Sequence, residues 1–311
     1  MRFFVAVTDN AWYRYLAGLR PDEVNFWRPS GKGFSAIEVG APFLFKLPAP
    51  ENCIVGGGFF VRAEQLPVSL AWEAFGQKNG APNLEELVKL IQGHRGDADP
   101  DPEIGCIILN QPFFIPPEHR IPQPEDFKPQ IVAGKTYDTR EPIGKRLWER
   151  VQPWLPEFEP CVGVEPPPFT KGEPPPLYGN EYLTKSRLGQ GAFRILVTGA
   201  YQRRCAVTGE KTLPVLQASH IKPYGKGPNR VDNGLLLRSD LHILFDRGYM
   251  TVTPKLRVEV SRRIKEEFEN GREYDKFHGQ GLQILPPAAA DRPNPEFLRW
   301  HNDKIFRLAG H

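Results

Sequence analysis

Nine of the 24 residues from Pro153 to Pro176 are proline, among them the triplets Pro166-Pro167-Pro168 and Pro174-Pro175-Pro176. A proline ring has no N–H, so it can neither continue a helix nor donate to a sheet ladder. The stretch favours extended polyproline II and reads as a semi-rigid spacer over 153–177. A chain of 311 residues is about two domains long. The spacer therefore predicts one domain at 1–152 and another at 178–311. The 33 prolines of the whole chain are roughly twice average usage and pin many of its loops.

Composition excludes several classes. With 40% hydrophobic and 25% charged residues the chain can build a packed interior, so general disorder is not expected. No apolar run approaches the roughly 18 residues that cross a bilayer, so no membrane partner is expected. The segment Arg2–Asp9 is too short an apolar run for a signal peptide and reads as a first strand. Cys53, Cys106, Cys161 and Cys205 are widely spaced and form no C-x-x-C pair. They offer no ribbon-type zinc site and no disulfide framework, so no structural zinc and a cytoplasmic location are the expectations. The net charge of +3 hides a split. Residues 178–311 hold 22 Lys and Arg against 14 Asp and Glu, a local +8, whereas 1–177 hold 18 against 23, a local −5. A basic half suits a polyanion; ordinary surface charge on two domains is the plain alternative.

The fold class expected is α+β in both halves. In 1–152, β-prone runs at 3–7, 37–39, 43–47, 53–61 and 104–109 predict strands. Gly56-Gly57-Gly58 marks a turn or bulge. Helices are expected at 69–76, at 84–92 after an Asn83 cap, and at 144–151. This pattern suits a small, strongly curved sheet with flanking helices. In 178–311 the order differs. A helix over 191–203 precedes a strand at 213–218, and a polar loop, 222–232, follows. Asn233 then opens a strand at 234–238, and Ser239 caps a short helix over 240–247 that stops at Gly248. A hairpin over 249–260 and a helix over 262–269 follow.

The chemistry lies in that order. Ala218-Ser219-His220-Ile221-Lys222-Pro223 is followed by Asn233-Gly234-Leu235-Leu236-Leu237, then by Asp240-Leu241-His242-Ile243-Leu244-Phe245-Asp246. A histidine at a strand end, an asparagine opening the returning strand and a histidine on the next helix make a compact unit. Such a unit can place one imidazole as a base and hold one divalent ion against a phosphate. Phosphodiester hydrolysis needs both groups. An imidazole near its ordinary pKa of ~6.5 suits the first task.

These three segments resemble the HNH endonucleases, the ββα-metal nucleases, over roughly 190–262. The resemblance implies that His220 is the general base and that Asn233 bonds backbone across the loop. It also implies that His242 ligates one divalent metal, Mg²⁺ or else Mn²⁺ or another transition metal. Many members place Asp or His before the base, where this chain has Ser219, a weak ligand for a hard cation. The remaining ligands are then drawn from Ser219, a backbone carbonyl, waters and phosphate oxygens. Asp246, one turn from His242, can face the metal or cap or pair locally with Arg247 or Arg204, and the local role is the one expected. His94, His119, His278, His301 and His311 carry no pattern and read as surface or loop residues. Lys222, Lys226 and Arg230 lie between base and asparagine and are the expected clamps on the DNA backbone.

The first half carries aromatics beside polar residues, in Asn25-Phe26-Trp27-Arg28-Pro29-Ser30, Phe34-Ser35, Leu70-Ala71-Trp72-Glu73-Ala74-Phe75-Gly76 and Tyr137-Asp138. Their order is similar to the PUA-like superfamily, whose EVE, ASCH and SRA-type members grip an extruded base. A flipped base needs aromatic faces and a few polar edge readers. Trp27, Phe34 and Trp72 are the expected stacking surfaces, and Asn25, Ser35 and Asp138 the expected edge readers. Taken singly, each aromatic is better explained as core. Together the halves resemble modification-dependent restriction endonucleases. The implied substrate is double-stranded DNA bearing a modified cytosine, cut on both strands by a homodimer or by two binding events. Two rivals stand beside this reading. One is an HNH nuclease of unmodified DNA, such as a nickase or toxin. The other is a nucleic-acid binding protein whose nuclease half is weak.

Overall fold

The computed structural model describes residues 1–30, 33–156, 188–223 and 226–306. Most of the expected spacer, 157–177, lies outside the described residues. The chain divides into two compact units, Met1–Ala192 and Phe193–His311. Both are mixtures of sheet and helix, and no helix among the described residues is long and apolar enough to cross a membrane.

The first unit is built on one seven-stranded sheet. Its strands are β1 (Arg2–Val7), β2 (Glu23–Arg28), β3 (Pro42–Lys46), β4 (Cys53–Pro67), β5 (Glu103–Phe114), β6 (Ile121–Pro122) and β7 (Gly134–Asp138). The order is β2-β5-β4-β3-β1-β7, with β6 alongside β4. Strands β1 and β3 run parallel, Phe4 opposite Phe43, and the other neighbours are antiparallel. Strand β2 is buried at Glu23 through Trp27, on both of its faces. That removes the alternation by which a strand is recognised in sequence. The expected strand at 37–39 is instead a turn.

The glycine triplet falls inside β4, where the register with β3 and β5 shifts, so the bulge reading holds. Gly56 has φ +156°, and a Cβ there would sit 2.2 Å from the Phe113 carbonyl oxygen, so no side chain fits. Helices α1 (Asn10–Leu19), α2 (Val68–Phe75), α3 (Leu84–Arg95) and α4 (Pro142–Val151) flank the sheet. Asp9 caps α1 by accepting from the N–H groups of Ala11 and Trp12, and Asn83 caps α3 by accepting from Glu86.

The second unit takes its first helix from α5 (Gln190–Ala200). A two-stranded ribbon follows, β8 (Leu216–His220) antiparallel to β9 (Gly234–Arg238), then α6 (Ser239–Asp246). The hairpin is β10 (Met250–Val252) with β11 (Val258–Val260), followed by α7 (Arg263–Phe268), α8 (Arg272–Asp275) and α9 (Pro295–Lys304). Val197, Tyr201, Leu235, Leu237, Leu241, Phe245 and Leu298 form one apolar core. It fixes ribbon and helix against each other, which is what a ββα site requires. Helix α6 starts at Ser239 itself, and Arg238 stands at its cap with no side-chain bond to the helix's first N–H groups. The expected Ser239 cap is therefore not made; Arg238 forks onto Asp240 at 2.7 Å instead. Gly248 ends the segment in the left-handed region, φ +75°, as expected.

Candidate active site

Strand alternation sorts the residues of β8. Ala218 and His220 face a cavity of ≈ 450 Å³, whose wall also includes Pro223, His242, Asp246, His301 and Ile305. Ser219, between them, points to the opposite face. It is fully buried, and its Oγ has no hydrogen-bond partner among the described residues. The structure thus does not bring Ser219 to the cavity that His220 and His242 share.

His220 is held on two sides. Its ring stacks on Phe193 at 3.8 Å between centroids, with 9° between the planes. Its Nε2 lies 2.7 Å from Asn229 Oδ1. With an oxygen there as acceptor, Nε2 carries the proton and Nδ1 is the basic nitrogen of the neutral ring. Burial pushes the His220 pKa below the ordinary histidine value, opposed by the Asn229 contact and by Asp246. The ring is therefore neutral at pH 7, the form a base needs.

Asn233 is fully buried at the foot of the loop. Its Oδ1 accepts from the Lys222 N–H, and its Nδ2 donates to the carbonyls of Lys222 and Pro228, each at 2.9 Å. One side chain so closes the loop that follows His220. The expectation that it bonds backbone across this loop holds in atomic detail.

His242 lies on α6, one turn before Asp246, and its Nε2 is 3.1 Å from Asp246 Oδ2. Its Nδ1 faces Gln217 Oε1 at 2.7 Å. A ring whose far nitrogen donates to a neighbour presents the other nitrogen's lone pair, the usual arrangement of a metal-binding imidazole. A nitrogen and a carboxylate oxygen at this spacing fit two adjacent ligands of one divalent cation. Among the described residues no third His, Cys, Asp or Glu completes a metal cluster. The residues present fit a site of two side-chain ligands, with the other positions left to waters and phosphate oxygens. Asp246 thus takes the less expected of its two readings, beside His242 rather than on Arg247 or Arg204.

The expected backbone clamps separate. Lys226 is exposed. The Nζ of Lys222 lies over the Trp300 ring at 5.7 Å. Arg230 is forked onto Asp232 at 3.0 and 2.7 Å, so its charge is already matched.

His301 corrects the sequence reading. It is 2% exposed on α9, not a surface residue. Its ring stacks on Phe245 at 3.7 Å, Nδ1 meets Thr251 Oγ1 at 2.8 Å, and Nε2 donates to the Phe245 carbonyl. Burial pushes its pKa down to about 4. No motif surrounds His301; only helical spacing from the buried Leu298 could have placed it inside.

The residues expected in one N-terminal pocket fall in four places. Trp27 and Phe34 line a cavity of ≈ 460 Å³. Ser35 and Asp138 line another, of ≈ 400 Å³, where the Arg140 guanidinium holds the Asp138 carboxyl below the usual range. Asn25 is core, donating to Asn79 Oδ1 at 2.8 Å and to Cys106 Sγ. Trp72 stands on α2, in the wall of neither cavity.

No curated protein matches the chain. A solved structure described as a modification-dependent TagI restriction endonuclease aligns with 93% of this chain and 78% of its own, at 14% identity and a TM-score of 0.30. Residues 205–253 match the HNH endonuclease family, so the chain carries an HNH endonuclease domain over the strands and helix that bear His220, Asn233 and His242.

Proposed function

We propose that the chain is a metal-dependent endonuclease of modification-dependent restriction type. In this reading 178–311 is the nuclease and 153–177 a spacer. Residues 1–152 form a PUA-like reader of an extruded modified cytosine. The observation that carries the nuclease reading is the shared cavity of His220, His242 and Asp246 beside the loop that Asn233 closes.

His220, kept neutral by burial, takes a proton from the attacking water at its basic ring nitrogen. Phe193 and Asn229 fix the ring plane, so the lone pair is aimed before substrate arrives. His242 and Asp246 are the side chains that would hold the cation, with Gln217 orienting the imidazole. A divalent ion bound there supplies positive charge to the scissile phosphate and to the leaving 3′ oxygen. Lys222 and Lys226 meet neighbouring phosphates, whereas Arg230 serves Asp232. The expected products are 5′-phosphate and 3′-hydroxyl ends. One site cuts one strand, so a double-strand break requires a second copy or a second event. The basic nuclease half fits duplex DNA as partner, in the cytoplasm.

The test is cleavage of one plasmid carrying cytosine, 5-methylcytosine or 5-hydroxymethylcytosine, in Mg²⁺ and in Mn²⁺. Cutting confined to a modified plasmid supports both halves of the reading. Equal cutting of all three removes the reader and leaves the nuclease. Binding without any cutting removes the nuclease.

A further inference from the structure

The ≈ 460 Å³ cavity of the first unit is within the size range of small-ligand sites. Its wall includes the rings of Phe4, Phe26, Trp27, Phe34 and Phe43. These rings support one another edge to face: Phe4 on Phe34 at 5.0 Å, Phe34 on Phe43 at 5.7 Å, and Phe26 on Phe43 at 5.0 Å. Trp27 is anchored by its Nε1, which donates to the Asn79 carbonyl at 3.0 Å. Such walls are rigid and suit a flat base with a methyl group at its edge.

Aromatic walls alone cannot make a modified-cytosine reader. 5-Methylcytosine and thymine share ring size and the 5-methyl group; they differ at position 4, amino against carbonyl, and at N3. Apolar contact discriminates poorly between near-isosteres, whereas an unmatched polar edge is rejected strongly. Thymine stands at every A·T pair, so a reader without an acceptor opposite position 4 would fill with it. Among the residues of this wall Asp9 is the one carboxylate.

Asp9 is fixed in place. Its Oδ1 accepts from the N–H groups of Ala11 and Trp12, at 2.8 and 2.9 Å. Its Oδ2 lies 3.9 Å from His94 Nε2, beyond hydrogen-bond reach, and the His94 ring meets Trp27 edge to face at 5.8 Å. A carboxylate offers acceptors only. It pairs with a 4-amino group and opposes the 4-carbonyl of thymine, acceptor against acceptor.

We propose that this cavity takes an extruded 5-substituted cytosine and that Asp9 is its specificity-determining residue, accepting the 4-amino hydrogen bond. The proposal rests on the reading of 1–152 as a modified-base reader.

The test is fluorescence anisotropy of the full chain, in EDTA, on one duplex sequence with a single varied pair. The pairs are 5-methylcytosine·guanine, cytosine·guanine, thymine·guanine and N6-methyladenine·thymine. The thymine mismatch opens more easily, so only chemistry at the base edge works against it. Wild type should bind the 5-methylcytosine duplex about tenfold or more tighter than the thymine duplex. The variant is Asp9→Asn. Asn caps a helix as well as Asp does, so Tm should stay within about 2 °C. With Oδ1 kept on the backbone, the amide turns donors toward the base, and the tenfold ratio should collapse or invert.

An unchanged ratio in Asp9→Asn overturns the proposal. So does an equal loss on both duplexes, or wild-type preference for N6-methyladenine. Equal wild-type binding to 5-methylcytosine and cytosine would overturn the underlying reader as well, which separates the two failures.

Discussion

Replacing Asn233 with alanine removes three hydrogen bonds of 2.9 Å that close the loop between His220 and the returning strand. Each is worth about 1 kcal/mol net, and the backbone groups left behind are partly buried. The expected loss is about 2–3 kcal/mol. For a unit of roughly this size that lowers Tm by about 10 °C. Cleavage should fall further than stability, because Asn229 belongs to this loop and contacts His220. A shift of about 1 Å in a reacting group costs on the order of 10²-fold in rate. The Asn233→Asp variant distinguishes hydrogen bonding from mere space filling. It keeps the acceptor for the Lys222 N–H, loses both donors, and sets a carboxylate against the carbonyls of Lys222 and Pro228. It should therefore be no more stable than the alanine variant, although it matches asparagine in shape. The assay is calorimetric unfolding beside supercoiled-plasmid cleavage at a temperature where every variant is folded. An Asn233→Asp protein that melts within about 2 °C of wild type would refute the reasoning, as would full cleavage by Asn233→Ala.

Three further outcomes are expected. The acid limb of kcat/KM should lie below pH ~6.5, because burial lowers the His220 pKa and the neutral ring is the working form; a limb at or above that value contradicts it. His301 has a folded pKa of about 4 against ~6.5 unfolded, so its neutral state stabilises fully above pH 6.5 and the contribution is lost as pH falls toward 4. The loss is about 3 kcal/mol, and His301→Gln should flatten that part of the stability profile in denaturant titrations. Asp246→Asn should weaken the apparent metal affinity in cleavage by about 10-fold or more while leaving Tm within about 2 °C; unchanged metal dependence would remove Asp246 from the site.

The grouping of His220, Asn233 and His242 was legible in sequence because local rules and spacing coincide there. Asn233 sits where a loop turns into an apolar run, and its side-chain bonds are to backbone of that same loop, five and eleven residues back. Gly248 and Asn83 follow from local chemistry in the same way. Asp246 was within reach too, since it lies one helical turn from His242, but a charge beside Arg247 has a bland local explanation. His301 was not readable: it reaches the cavity from α9, through tertiary packing against Phe245 and Thr251. Ser219 shows a limit of motif reasoning, since adjacency to His220 along a strand places it on the other face.

The N-terminal half was read less well for a physical reason. Strand β2 is covered on both faces, so Asn25, Phe26 and Trp27 carry no period-2 signal and look like exposed readers. Trp27 does reach a cavity wall, but Asn25 is core. Asp9 was passed over because it closes a segment that reads as a first strand, and the helix it caps carried no expectation.

The central claim is that His220 takes the proton from water in a metal-dependent cut. Single-turnover cleavage by wild type and His220→Ala, on one duplex that both bind equally, tests it most directly. The account predicts a rate loss on the order of 10²–10⁴-fold in the variant, with Tm and DNA affinity held. Cleavage by His220→Ala at the wild-type rate would contradict it.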